Sequence, residues 1–220
     1  EYLGHLGQRD RLHELLQRYR AASGDTSGVV RASAELLVRA GAIDHAVKVL
    51  EVAAAQPGAD PVLWLELARS LDRRRRLRVR RDEAVRAFED AVGEDPEQLV
   101  EAARAWLDFQ KPTQARALIQ RVLKLRPGHI EASLVMADLM HLTGRRGEET
   151  RTLEELVSRS KDPALAAARV GERWQQRRKP REALPWLRKA LELAPPEAAP
   201  LRRRIHAALY ESYLTSRPAD

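Results

Sequence analysis

Apolar residues recur along most of this chain three and four positions apart, the spacing that lines them along one side of an α-helix. Leu12, Leu15, Leu16 and Tyr19 form such a stripe near the start, and Leu201, Ile205, Ala208 and Leu209 form another near the end, opposite Arg202 to Arg204. Few segments show the β-branched alternation of period two that marks strands. The pattern therefore predicts an all-α chain. Its apolar residues are chiefly Ala, Leu and Val, with only 5% aromatic residues. Such a set suits closely packed helices better than one compact, ring-filled core.

The same apolar pattern returns at a fixed interval. Ala34, Ala68, Ala103, Ala137 and Gly171 are separated by 34, 35, 34 and 34 residues, and all are small. Large residues follow in a second ladder, Leu16, Leu50, Phe88, Ile119, Leu153 and Leu187. A third lies three positions later at Tyr19, Ala53, Ala91, Val122, Leu156 and Ala190. A fourth precedes the second by four positions, through Leu12, Ala46, Ala84, Ala115 and Ala183, and only Glu149 breaks it. A common register for small and large positions predicts stacked repeats, in which the same packing point recurs in every unit.

In this register the chain resembles the tetratricopeptide repeat family, most clearly from Ala167 through Gly171, Trp174, Ala183, Leu187 and Ala190 to Pro195. The resemblance implies a right-handed superhelical solenoid of antiparallel helix pairs. Five pairs are expected at 27–60, 61–95, 96–128, 129–162 and 163–196. Asp95-Pro96, Arg126-Pro127 and Asp162-Pro163 fall between them, and Pro112 and Pro180 open second helices, positions that suit a residue with a fixed φ and no N–H. Pro185, one turn into its helix, is expected to cause a modest kink. Residues 1–26 read as a partial repeat whose first helix is residues 1–6 or missing. Residues 197–220 read as a capping helix or the start of a further repeat. These broken ends predict a piece of a longer protein.

Composition narrows the chemistry. Cysteine is absent, which removes thiolate chemistry and disulfides. Lys supplies six of the 39 basic residues and Asn is absent. That bias suggests a GC-rich bacterial genome, with cytoplasm and periplasm both open as locations. No apolar run reaches the roughly 18 residues of a membrane span, so no membrane insertion is expected of this segment. The sequence lacks GxGxxG, GxxxxGK, GxSxG and HExxH. Its six histidines fall in different repeats without an i, i+4 pair and read as surface or turn residues, and its adjacent carboxylates point to different helix faces. The chain is expected to be non-catalytic, without cofactor or metal.

What the resemblance implies instead is a protein-binding scaffold, with the first helix of each pair lining a groove. Carried onto this register, the groove comprises positions three before, one after and four after each small residue, and position five after adds Arg39, Arg73 and Gln176. Its candidate contacts are Arg31, Glu35, Arg39, Arg69, Arg73, Arg104, Asp138, His141, Glu172 and Gln175, joined by Val38, Leu65, Asp72, Val100, Leu107, Leu134 and Ala168. The stripe reads basic over the first three pairs and acidic afterwards, which fits a peptide or protein with an acidic and a basic end. Family members that clamp chaperone tails use an Asn this chain lacks. A second feature is the run Arg73, Arg74, Arg75, Arg76, Arg78, Arg80 and Arg81, in a turn four residues longer than the register. It is a candidate anion site for nucleic acid or another anionic polymer, the less favoured partner class because no aromatic residues interleave it for base stacking. A third expectation, at family level, is a periplasmic scaffold in polysaccharide export. The sequence leaves oligomeric state open.

Overall fold

The computed structural model describes residues 2–24 and 26–216, and over these the chain is all-α. The helices are α1 (Tyr2–Ser23), α2 (Ser27–Arg39), α3 (Ile43–Ala54), α4 (Val62–Asp72), α5 (Arg78–Val92), α6 (Pro96–Asp108), α7 (Pro112–Leu125), α8 (Ile130–Leu142), α9 (Arg146–Arg159), α10 (Pro163–Gln176), α11 (Pro180–Leu193) and α12 (Ala199–Ser216), with a 3-10 turn at Arg75–Leu77. Pro185 lies inside an unbroken α11. Of the two alternatives for the first helix, residues 1–6 or missing, the described residues show no separate one. From Tyr2 onward the chain already belongs to α1, because Gly4 and Gly7 each cost a helix only about 1 kcal/mol, too little to end it.

Starts and stops of the helices follow from side-chain chemistry. Asp95 accepts from the amides of Glu97 and Gln98, with Pro96 as the first helical residue, and Asp162 accepts from the amide of Leu165 ahead of Pro163. Thr26 and His129 cap α2 and α8 in the same way. Each carries an acceptor to an N–H that has no partner within the helix. Four of the five turns inside the expected pairs share one device, and the α4–α5 turn lacks it. Seven residues after the small position stand Gly41, Gln110, Gly144 and Arg178, all with φ between 56° and 73°. The amide that follows each reaches back five residues, as in Ala42 N–H to Leu37 and Lys111 N–H to Trp106, closing the helix in a left-handed turn. Two of these sites are not glycine, at a cost of about 1 to 2 kcal/mol each.

The chain forms two compact units, 1–111 and 112–220. In the first, α2 packs on α3, α3 on α4 and α4 on α5, with Leu37, Leu50, Leu71, Phe88, Leu99 and Trp106 fully enclosed. Trp106 donates its indole N–H to Glu89 at 2.5 Å. In the second, α8 packs on α9, α10 on α11 and α11 on α12 around Val170, Leu187 and Ile205. The helices expected to form the third pair, α6 and α7, belong to different units.

The small and large ladders are buried throughout, from Ala34, Ala68, Ala103, Ala137 and Gly171 to Leu16, Leu50, Phe88, Ile119, Leu153 and Leu187. The third ladder is buried except at Tyr19 and Ala91, which face solvent. Glycine at 171 has a steric cause: a Cβ there would meet Cγ and Cδ2 of Leu187 at 2.6 Å. Leu187 is itself fully buried. Gly171→Ala therefore sets a gain of about 1 kcal/mol in helix propensity against an overpacking cost of about 1 to 3 kcal/mol. The expected result in urea unfolding is net destabilisation, relieved in the Gly171→Ala/Leu187→Ala double variant relative to the sum of the single changes. Strict additivity would disprove the contact.

Candidate functional site

In the first unit, α4 touches both α2 and α6, so three first helices lie side by side. Most candidate groove residues there are exposed, but they are not unpaired. Arg39 donates to Glu35 at 2.5 Å, Arg69 to Glu66 at 2.9 Å and Arg104 to Glu101 at 2.8 Å, each within one helix. Arg31 reaches across from α2 to Glu66 at 3.6 Å. Positions three before the small residue behave differently from expectation in later repeats. Leu65, Val100, Leu134 and Ala168 are buried, because neighbouring first helices close over them. Only Arg31 holds that position in solvent.

The arginine run divides in two. Arg74 donates to Asp44 of α3 at 3.1 Å and Arg80 to Glu51 of α3. Arg81 is 3% exposed, so it cannot serve as the surface anion contact expected of it. Its guanidinium is enclosed because Asp72 and Asp82 accept from it at 2.6 and 2.8 Å while Phe109 stacks at 4.6 Å. Burial opposes its charge, but hydrogen bonds to Asp72 and Asp82 outweigh that and hold its pKa above the ordinary value. Arg73, Arg75, Arg76 and Arg78 are exposed, and among the described residues no carboxylate is paired with them.

In the second unit the candidate acids are already occupied. Asp138, 7% exposed, accepts from Arg173 and Arg177, and Glu172 accepts from Arg204 at 2.5 and 2.6 Å and from Arg169 at 3.3 Å. Arg169 also donates to Glu131 of α8. Glu149, the residue that breaks the fourth ladder, is 3% exposed and accepts from Arg177 Nη1 at 2.5 Å. His141 Nδ1 lies 3.0 Å from the other Glu149 oxygen, with its ring edge-on to Trp174 at 6.2 Å. Hydrogen bonding to Asp138 holds the Arg173 pKa above its ordinary value, over an opposing burial cost. Gln175 donates to the Ala208 carbonyl at 2.8 Å and Ser212 Oγ at 2.9 Å, tying α10 to α12. These contacts run between helices, so Asp138, His141, Glu172 and Gln175 hold repeats together, and the stripe is not an acidic surface.

Sequence reasoning missed Arg169, Arg173 and Arg177, although their spacing of four places them on one face of α10. The lone Glu in an alanine ladder was the other available signal. Sequence distance also hid a histidine pair: His13 of α1 and His45 of α3 lie with ring centroids 4.4 Å apart, and His45 Nε2 is 3.3 Å from Asp10. His13 borders a cleft of about 530 Å³ that Gln17, Arg20, Lys48 and Val52 also line. Burial, then the charges of His45, Arg20 and Lys48, push the His13 pKa below 6.5, with Asp10 opposing. Among the described residues no group of three or more His, Asp or Glu side chains is placed to hold a metal, and no helix is long and apolar enough to cross a membrane.

No protein-family model and no curated protein matches the sequence. Several solved structures are similar in part. For the crystal structure of MamA the identity is 16% and the TM-score 0.45, with 73% of this chain and 93% of that chain covered. TTC0263, a thermophilic TPR protein in Thermus thermophilus, is 19% identical with a TM-score of 0.45, over 82% of this chain and 97% of that one. YrrB, a TPR protein with an unusual peptide-binding site, is 15% identical with a TM-score of 0.43, over 89% and 98%. A likeness at this level carries no inference about partner or site.

Two outcomes follow from the buried charges. Glu149→Ala, which restores the ladder, is expected to destabilise by about 2 to 3 kcal/mol because Arg177 and His141 lose their acceptor. Arg177 keeps Asp138 as a second acceptor, so adding Arg177→Leu should cost less than the separate changes summed by the Arg177–Glu149 bond alone, and a denaturation cycle with no coupling would refute that pair. At His13, the unfolded chain binds its proton more readily than the folded one, so stability falls as pH drops below about 6.5. The loss continues down to the folded pKa. His13→Gln should flatten that part of the stability–pH curve measured by denaturant unfolding, and an unchanged slope would refute it.

Proposed function

We infer that the chain is a non-catalytic scaffold that holds an acidic segment of another protein against α2, α4 and α6 of the first unit. What carries the reading is the kind of ion pairing on that face. Arg39, Arg69 and Arg104 are paired to a carboxylate three or four residues away on their own helix. An exposed pair of this sort contributes about 0.3 to 0.5 kcal/mol, so an incoming carboxylate that takes two parallel hydrogen bonds from the same guanidinium replaces it at little cost. Arg31, which reaches from α2 to Glu66 of α4, adds positive charge along the same face. The face on α8, α10 and α12 is a poor competitor, since its arginines are committed to buried or bridging acids.

The occupant this face favours is extended and rich in Asp and Glu. The acidic-to-basic polarity expected from sequence is replaced by a single basic docking face on the first unit. A random peptide library panned on the chain should return acidic peptides. Arg69→Ala with Arg104→Ala should weaken them about tenfold, on the basis of roughly 1 kcal/mol or less per exposed pair, with helical circular dichroism unchanged. Selected peptides that bind the double variant as tightly as the parent would reject this face.

A further inference from the structure

We propose that the turn between α4 and α5 is a second, separate binding site, which grips the phosphate backbone of a nucleic acid without reading its sequence. Its arginines are sorted by direction. Arg74, Arg80 and Arg81 point toward carboxylates that hold them, Asp44, Glu51, Asp72 and Asp82, and although only Arg81 is buried the pairs fix the 3-10 turn against α3, α4 and the start of α5 itself. Arg73, Arg75, Arg76 and Arg78 turn outward from this braced turn, all exposed and paired with no carboxylate among the described residues. The turn thus concentrates four uncompensated guanidinium groups within six residues. No acidic residue in the first turn of α5 offsets them, although that end of a helix favours negative charge.

The chemistry of the patch selects among anions. Every outward cation is Arg, whose planar fork matches phosphate oxygens in a bidentate manner. Protein interfaces draw their affinity from apolar and aromatic anchors at their centre. Here the exposed large apolar residue is Val79 alone, and residues 73–81 contain no aromatic side chain. Without rings to stack on bases, recognition rests on the phosphates, so binding is indifferent to sequence and steeply dependent on salt. The net charge of +7 favours the same encounter.

The test uses the full chain and a labelled 20-base-pair duplex of mixed sequence, followed by fluorescence anisotropy from low to physiological salt. Four phosphate contacts predict a slope of log affinity against log salt of about −3 to −4. Replacing Arg73, Arg75, Arg76 and Arg78 by Gln should weaken binding at least about tenfold at low salt and bring the slope near zero, since each phosphate contact carries about one unit of slope. A charge-matched variant, Arg151, Arg178, Arg181 and Arg203→Gln, should bind like the parent, with circular dichroism confirming that both variants keep their helices. Equal losses in the two variants would mean net charge alone and overturn the site. So would binding of a poly-glutamate peptide or of vesicles containing anionic lipid more tightly than the duplex at equal salt. Unchanged duplex binding when Arg69→Ala with Arg104→Ala weakens acidic-peptide binding about tenfold would separate this site from the face on α2, α4 and α6.

Discussion

Where α10 meets α11 the structure depends on one steric relation, a small side chain on the first helix of the pair set beside a large one on the second. Gly171 and Leu187 display it without slack, since the space a single methyl group would need is already filled. Close approach of the two backbones enlarges the area each helix hides from water, which is where helical repeats find their stability in the absence of a central core. Capping and turn chemistry decide where helices begin and end, but neither would hold them together.

On that frame the two units use charge in different ways. Along α2, α4 and α6 of the first, Arg39, Arg69 and Arg104 pair with acids of their own helix, while Arg31, Arg74, Arg80 and Arg81 reach to other helices. Along the second, arginines of α10 and α12 bridge to acids on neighbouring helices, and Glu149 and Asp138 are almost fully withdrawn from water. Exposed pairs are screened by salt and contribute little, whereas a buried acid deprived of its partner is costly. The exposed same-helix pairs therefore contribute little, and the buried and bridging ones fix the geometry of their helices.

Much of this was legible in the sequence, and the limits have physical causes. Ladder positions could be read because burial demands a fixed size at a fixed interval, and proline and aspartate marked the helix starts. Exposure along the first helices was harder to read. Whether position 65 or 100 faces a ligand or a neighbouring helix depends on how adjacent repeats close, which no local pattern encodes. Pairing of charges was hidden for the same reason: Arg173 and Asp138 are 35 residues apart, His13 and His45 are 32 apart, and Arg81 looks no different in sequence from Arg78. Tyr19 and Ala91 show the reverse case, positions in register that the structure leaves in solvent.

The left-handed turn shared by Gly41, Gln110, Gly144 and Arg178 bears on how such a protein changes over generations. Two of those four turns hold Gln or Arg rather than glycine at a positive φ and absorb the strain. A repeat maintained by volume at a few points asks little of residue identity elsewhere. Substitutions can then accumulate until almost nothing but the spacing survives, and the architecture outlasts the wording of its own sequence.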